Sequence, residues 1–201
     1  MARVPGDFEI AEGDPCERYI LLHTSHDGSS NVEAMFVTIR VVCNNTLQAA
    51  VRGAKSKVRI RHTASAGEAL QEAHRVLCES ETYWQRLRET FARMNEETFG
   101  DRAEVMSFVE AMFPAKADDE GKIPTRTQNM RDRVLSLFDG GADGSDRVRK
   151  GSKWAMFQAV TQFIDRDRAV NKTTNRWESS TFGTGADARQ RAMNLLVGAA
   201  E

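Results

Sequence analysis

The 201 residues carry 28 Lys and Arg against 29 Asp and Glu, for a formal net charge of −1, with 40% hydrophobic and 28% charged residues. That balance supports a packed core and excludes a disordered polymer; no apolar run approaches the roughly 18 residues of a membrane span, and the start Met1-Ala2-Arg3-Val4-Pro5 lacks the apolar stretch of a signal peptide. Cys16, Cys43 and Cys78 are widely spaced with no C-x-x-C pair, which points to a reducing cytoplasm and away from a disulfide framework or a zinc finger.

The chain opens as β structure. Glu17 to His23 is an apolar run ended by the turn-rich His26-Asp27-Gly28-Ser29-Ser30, and Glu33 to Val42 alternates as a second strand, so the two predict a hairpin. Cys43-Asn44-Asn45-Thr46 breaks that pattern, and Thr46 to Val51 reads as a short helix closed by Gly53. Lys57 to His62 is a third strand, with Val58 and Ile60 on one face and Lys57, Arg59 and Arg61 on the other.

From Ser65 the period becomes helical. A stripe from Ala66 through Val76, Leu77, Trp84, Leu87, Phe91 and Met94 predicts a helix of about 30 residues ending near Gly100, with Ser65 and Glu68 as its capping box. Asp101 and Glu104 repeat the box for a shorter helix stopped by Pro114, and Ala115 to Pro124 is a polar loop. Further helices are expected over Thr125 to Phe138, Ser152 to Val170 and Ala186 to Ala200, with Asp139 to Ser145 a loop and Asn171 to Gly185 irregular. The fold class is therefore α+β: a small N-terminal antiparallel sheet of about three strands (residues 1–64) followed by a mainly helical body (65–201), packed as one compact domain.

Charge is unevenly spread. Residues 65–120 hold 6 basic and 13 acidic residues, whereas residues 126–177 hold 11 basic and 6 acidic. Such asymmetry suits an anionic partner for the basic part, and it also suits two solvated helical faces. The basic residues that suggest nucleic-acid binding are Lys57, Arg59 and Arg61 along the third strand, with Arg147, Arg149, Lys150 and Lys153 ahead of the Trp154 helix. Asp165-Arg166-Asp167-Arg168 alternates in charge at a helix end and reads as a solvated face. Trp177, outside any stripe, reads as a residue pinning its segment to the body.

Catalytic patterns are sparse. Cys43 stands where a strand ends and a helix begins, which favours a thiolate; His62 nearby, oriented by Asn44 or Asn45, would complete a cysteine-dependent hydrolase. A small buried hydrophobe and a strand end explain the same two residues. His23 and His26 invite a metal reading but lack a diagnostic ligand spacing, and a polar hairpin tip accounts for them. With no G-x-x-x-x-G-K-[ST], G-x-G-x-x-G or H-E-x-x-H pattern, nucleotide hydrolysis, dinucleotide redox chemistry and zincin proteolysis are unsupported, and no cofactor is expected.

The run Ile39-Arg40-Val41-Val42-Cys43-Asn44-Asn45-Thr46-Leu47, preceded by Ser25-His26-Asp27-Gly28 and followed by Arg61-His62-Thr63, resembles the phage- and plasmid-like family known as domain of unknown function 932; Trp154 to Asp165 is similar to that family's C-terminal segment. The likeness spans most of the chain and aligns it with the C-terminal portion of the family. It implies a cytoplasmic product of a mobile element, with no catalytic residues to carry over, and either a short member of the family or a sheet completed by a partner or a second copy. The expectation is a non-enzymatic DNA-associated protein acting on single strands in replication or recombination. The alternatives are an inhibitor or interaction protein that meets a host factor through the acidic helix, and the hydrolase of Cys43 and His62.

Overall fold

The two apolar runs pair as expected: β2 (Pro15–His23) and β3 (Glu33–Arg40) are antiparallel, in register from Cys16 opposite Arg40 to His23 opposite Glu33. The computed structural model describes residues 1–23, 32–42, 45–47, 55–60, 65–118, 121–169 and 176–198. Within them the sheet holds five strands rather than about three. One addition is β1 (Ala2–Glu9), antiparallel to β2. Pro5 and Gly6 disguise it in the sequence, yet both are tolerated on an edge strand at a bulge, and the register shifts between Val4 and Phe8.

The other addition corrects the helix expected over Thr46 to Val51. Asn45–Leu47 is a strand, β4, paired with Thr38–Arg40, and residues 48–51 lie outside the described set. An open edge of β3 outcompetes the weak helical preference of a segment containing β-branched Thr46. β5 (Lys57–Arg59) takes the other half of that edge, opposite Glu33–Met35. Two short strands thus share one side of β3 end to end.

Gly6 shows why the bulge needs glycine. Its φ of 101° is left-handed, and a Cβ there would collide with the guanidinium of Arg18, which crosses β1 to donate to the Pro5 carbonyl. That guanidinium also meets Glu81 at 2.8 Å and lies 4.6 Å from the Trp84 ring, so it joins the sheet to the first helix. Gly6→Ala is expected to destabilise the protein by about 1–3 kcal/mol, read as a lower midpoint in urea unfolding. An unchanged midpoint would show that the bulge does not need glycine.

Among the described residues six α-helices follow: α1 (Ala66–Glu96), α2 (Arg102–Met112), α3 (Thr125–Ser136), α4 (Lys153–Gln162), α5 (Arg176–Phe182) and α6 (Thr184–Val197). Both predicted N-caps form. Ser65 Oγ accepts from Glu68 N–H at 3.2 Å, and Asp101 accepts from Glu104 N–H at 2.8 Å while the Glu104 carboxylate accepts from Gly100 N–H at 2.7 Å. The inner stripe of α1 runs through Val76, Tyr83, Trp84, Leu87, Phe91 and Met94; Leu77, expected inside, is 49% exposed. α5 occupies part of the stretch read as irregular.

α4 is the centre of the body. Every residue from Trp154 to Gln162 is buried, so it is enclosed on all sides rather than along one stripe. Phe91 of α1 packs on Trp154 and Phe157 at centroid distances of 4.4 and 5.6 Å. The core is continuous with the sheet, where Phe8, Cys16, Ala34, Phe36 and Val58 line the face turned to the helices. The opposite face carries a smaller cluster of Leu21, Met35 and Val37, with Tyr19 and Ile39 against it.

A buried ion pair fastens the sheet to the body. Arg40, with no exposed surface, donates from Nε to Asp14 Oδ1 at 2.5 Å and from its two terminal nitrogens to the carbonyls of Asp143 and Gly144 at 3.1 and 3.0 Å. Trp154 Nε1 donates to the other Asp14 oxygen at 3.3 Å. The arginine that looked like an ordinary strand residue is therefore the clasp between β3, the β1–β2 turn, α4 and the loop after α3.

Candidate functional site: an arginine-lined groove

The residues singled out for chemistry fall mostly outside the described set. Cys43, Asn44, His62, His26 and Arg61 lie there, as do the side chains of His23 and Trp177. Among the described residues no group of three or more His, Cys, Asp and Glu side chains is arranged to hold a metal ion.

The described basic residues do not form one patch. On β5, Lys57 faces Glu33 at 3.7 Å and Arg59 is exposed, with its carbonyl accepting from Arg75 of α1. At the other end of α1, Arg149 donates to the Glu96 carbonyl at 2.9 Å and Lys153 pairs with Glu97 at 2.7 Å. The 21 residues of α1 between those contacts span about 30 Å. Arg147 donates to the Gly13 carbonyl at 2.6 Å, and Lys150 is exposed at a hollow of about 420 Å³ beside Asp139 and Asp146. Arg147, Arg149 and Lys153 thus hold loops to the body. The acidic character of α1 is also largely met internally, since Glu72, Glu79, Glu81 and Glu89 pair with Arg75, Lys55, Arg18 and Arg86.

The positive surplus of residues 126–177 is concentrated elsewhere. Arg126, Asn129, Met130 and Arg133 stand at i, i+3, i+4 and i+7 of α3, which places them on one face. Opposite, α4 ends in a π-helical turn over Phe163–Asp167, a wider winding that recurs at functional sites. That turn and the residues after it present Phe163, Arg166, Asp167, Arg168 and Ala169 to the α3 face across a groove of about 750 Å³. The solvated-face reading of Asp165-Arg166-Asp167-Arg168 holds for the exposed Arg166 and Asp167 and is corrected for Asp165. Asp165 turns inward to Arg189, while Arg166 and Arg168 border the groove.

Two of the four guanidiniums are neutralised. Arg133 donates to Asp167 at 2.7 Å, and Arg166 pairs with Asp143. The other two differ. Arg168 donates to the carbonyl and hydroxyl of Thr184 at 2.8 and 3.2 Å, and among the described residues neither Arg168 nor Arg126 makes an ion pair. Burial pulls the Arg168 guanidinium below its ordinary value, the charge of Arg126 adds to that effect, and Asp187 opposes it. The groove therefore holds two cations that repel one another, a situation an anion placed between them relieves.

The wall carrying Arg166 and Arg168 is anchored from behind. Arg189 of α6, fully buried, donates to Asp165 Oδ1 at 2.8 Å, to the Ser180 carbonyl at 3.0 Å and to Ser180 Oγ at 2.8 Å; Ser180 Oγ in turn donates to Asp165. Burial lowers the Arg189 pKa, with Asp165 opposing as a charge and as a hydrogen-bond acceptor. This knot ties the π-helical turn to α5 and α6. Sequence reasoning missed the groove, although Arg126, Asn129 and Arg133 at helical spacing within the basic segment were its visible half.

No helix among the described residues is long and apolar enough to cross a membrane. No curated protein and no solved structure matches the chain. A family model does match, over residues 1–192 and so over most of the chain as expected: the protein belongs to the family described as Domain of unknown function (DUF932).

Proposed function

We propose that this chain is a non-enzymatic, cytoplasmic nucleic-acid-associated protein of a phage or plasmid, which holds a single strand in the groove between α3 and the π-helical turn during replication or recombination. The observation that carries the proposal is the convergence of Arg126, Arg133, Arg166 and Arg168 on one groove, with Arg126 and Arg168 outside any ion pair among the described residues. Paired arginines take phosphate through forked hydrogen bonds as well as charge. The apolar Met130 and Phe163 in the same groove favour a single strand, whose bases are accessible, over a duplex.

Fluorescence anisotropy of a labelled single-stranded oligonucleotide, titrated at several salt concentrations, tests this. The logarithm of affinity should fall linearly with the logarithm of salt, each phosphate contact contributing a slope of roughly 0.7. Arg126→Ala should reduce the slope by about that amount and weaken different sequences alike. Absence of salt-dependent binding would overturn the proposal. So would a slope that falls with Lys57→Ala or Lys150→Ala and is untouched by Arg126→Ala, because the polyanion would then lie on the strand and loop residues instead.

A further inference from the structure

A groove built only for polyanions has no use for an apolar floor, and this one has both. Phe163, only 4% exposed and packed edge-on to Phe113 at 5.6 Å and 82°, borders the groove from within the core, so the accessible apolar surface beside Arg126 and Arg168 comes mainly from the half-buried Met130. Asn129, one residue before Met130, is exposed and among the described residues makes no hydrogen bond, so its carboxamide offers one acceptor and two donor hydrogens to a ligand. Phosphate gains nothing from a thioether and a phenyl ring, whereas the π-face of a base does. The volume of about 750 Å³ lies within the roughly 300–1,000 Å³ of sites that enclose a small ligand.

We propose that the groove seats one nucleotide unit of the bound strand, with its phosphate between Arg126 and Arg168, its base against Met130 over the buried Phe163, and the base edge on Asn129. This rests on the single-strand reading above and adds to it that the base, not only the backbone, is bound. Asparagine can pair with a base edge through donor and acceptor together, which gives the site a means of preferring one base over another.

The test compares a labelled thymidine oligonucleotide with a strand of equal length made of abasic phosphodiester units. The abasic strand should bind roughly tenfold more weakly to the unaltered protein, the size expected for loss of one stacked base. Met130→Ala should weaken the thymidine strand and leave the abasic strand unchanged, whereas Arg126→Ala should weaken both. Asn129→Ala, at an exposed position with no hydrogen bond among the described residues to lose, should repeat the Met130→Ala pattern. Equal, salt-dependent affinity for the two strands would overturn base seating and leave the polyanion reading standing. Binding to neither strand would remove both. Displacement of the strand by an equal concentration of thymidine monophosphate would reassign the groove to a free nucleotide and overturn the proposal.

Discussion

Asp14→Ala is expected to lower the stability of the protein by about 3–5 kcal/mol, because it leaves the guanidinium of Arg40 buried without its counter-ion. Arg40 has no exposed surface, and the two carbonyls it also meets, those of Asp143 and Gly144, supply partial dipoles rather than a charge. The same change removes the acceptor of Trp154 Nε1 in the centre of the core. Urea unfolding followed by tryptophan fluorescence gives the value. A contrast variant separates pair from partner: Asp14→Leu with Arg40→Met removes both charges, and an apolar replacement of a whole buried pair is commonly neutral or mildly favourable. The double variant should therefore be more stable than Asp14→Ala alone. A loss below about 1 kcal/mol for the single variant would mean that water or a backbone shift solvates Arg40, and the clasp would not be a main support of the sheet.

That clasp also shows where a linear reading stops. The β2–β3 hairpin was legible because alternation and an Asp-Gly turn are local signals, and so were the caps at Ser65 and Asp101, whose partners sit three residues away. β1 was hidden by Pro5 and Gly6, which local rules count against a strand, although an edge and a bulge admit both. β4 was mistaken for helix because the edge of β3 that captures it comes from elsewhere in the chain. Charges suffered most. Asp14, Arg40 and Arg189 look like surface residues in sequence, and only the folded neighbourhood supplies the counter-charge that lets them be buried, from the half-buried Asp165 in the case of Arg189.

The groove was half visible for the same reason. The spacing of Arg126, Asn129, Met130 and Arg133 defines a helix face without any structure. Nothing in the sequence says that Phe163 to Ala169 will turn toward that face, since this depends on the π-helical turn at Phe163–Asp167, which carries no composition signal. The sequence reading placed the charge surplus of residues 126–177 on Arg147, Arg149, Lys150 and Lys153; in the structure Arg147, Arg149 and Lys153 hydrogen-bond to neighbouring segments, while Lys150 is exposed.

Asp165→Ala is expected to be the second severe change, and unlike the first it should also disable binding. Removing the carboxylate takes away the counter-charge of the fully buried Arg189 guanidinium and leaves it, among the described residues, hydrogen-bonded to the oxygens of Ser180, at a cost of about 3–5 kcal/mol. Burial already lowers the Arg189 pKa, and the substitution removes the Asp165 charge and hydrogen-bond acceptor that oppose that effect. The π-helical turn would lose its tie to α5 and α6, and with it the placement of Arg166 and Arg168 against α3. Asp165→Leu combined with Arg189→Met separates the two consequences. It should recover much of the stability by replacing the pair with apolar volume, yet it restores none of the hydrogen bonds to Ser180 that fix the turn. Oligonucleotide affinity should then stay low in a protein whose unfolding midpoint has largely returned. Recovery of stability together with full affinity would show that packing alone sets the groove wall, and that the Asp165–Arg189–Ser180 knot does not position it.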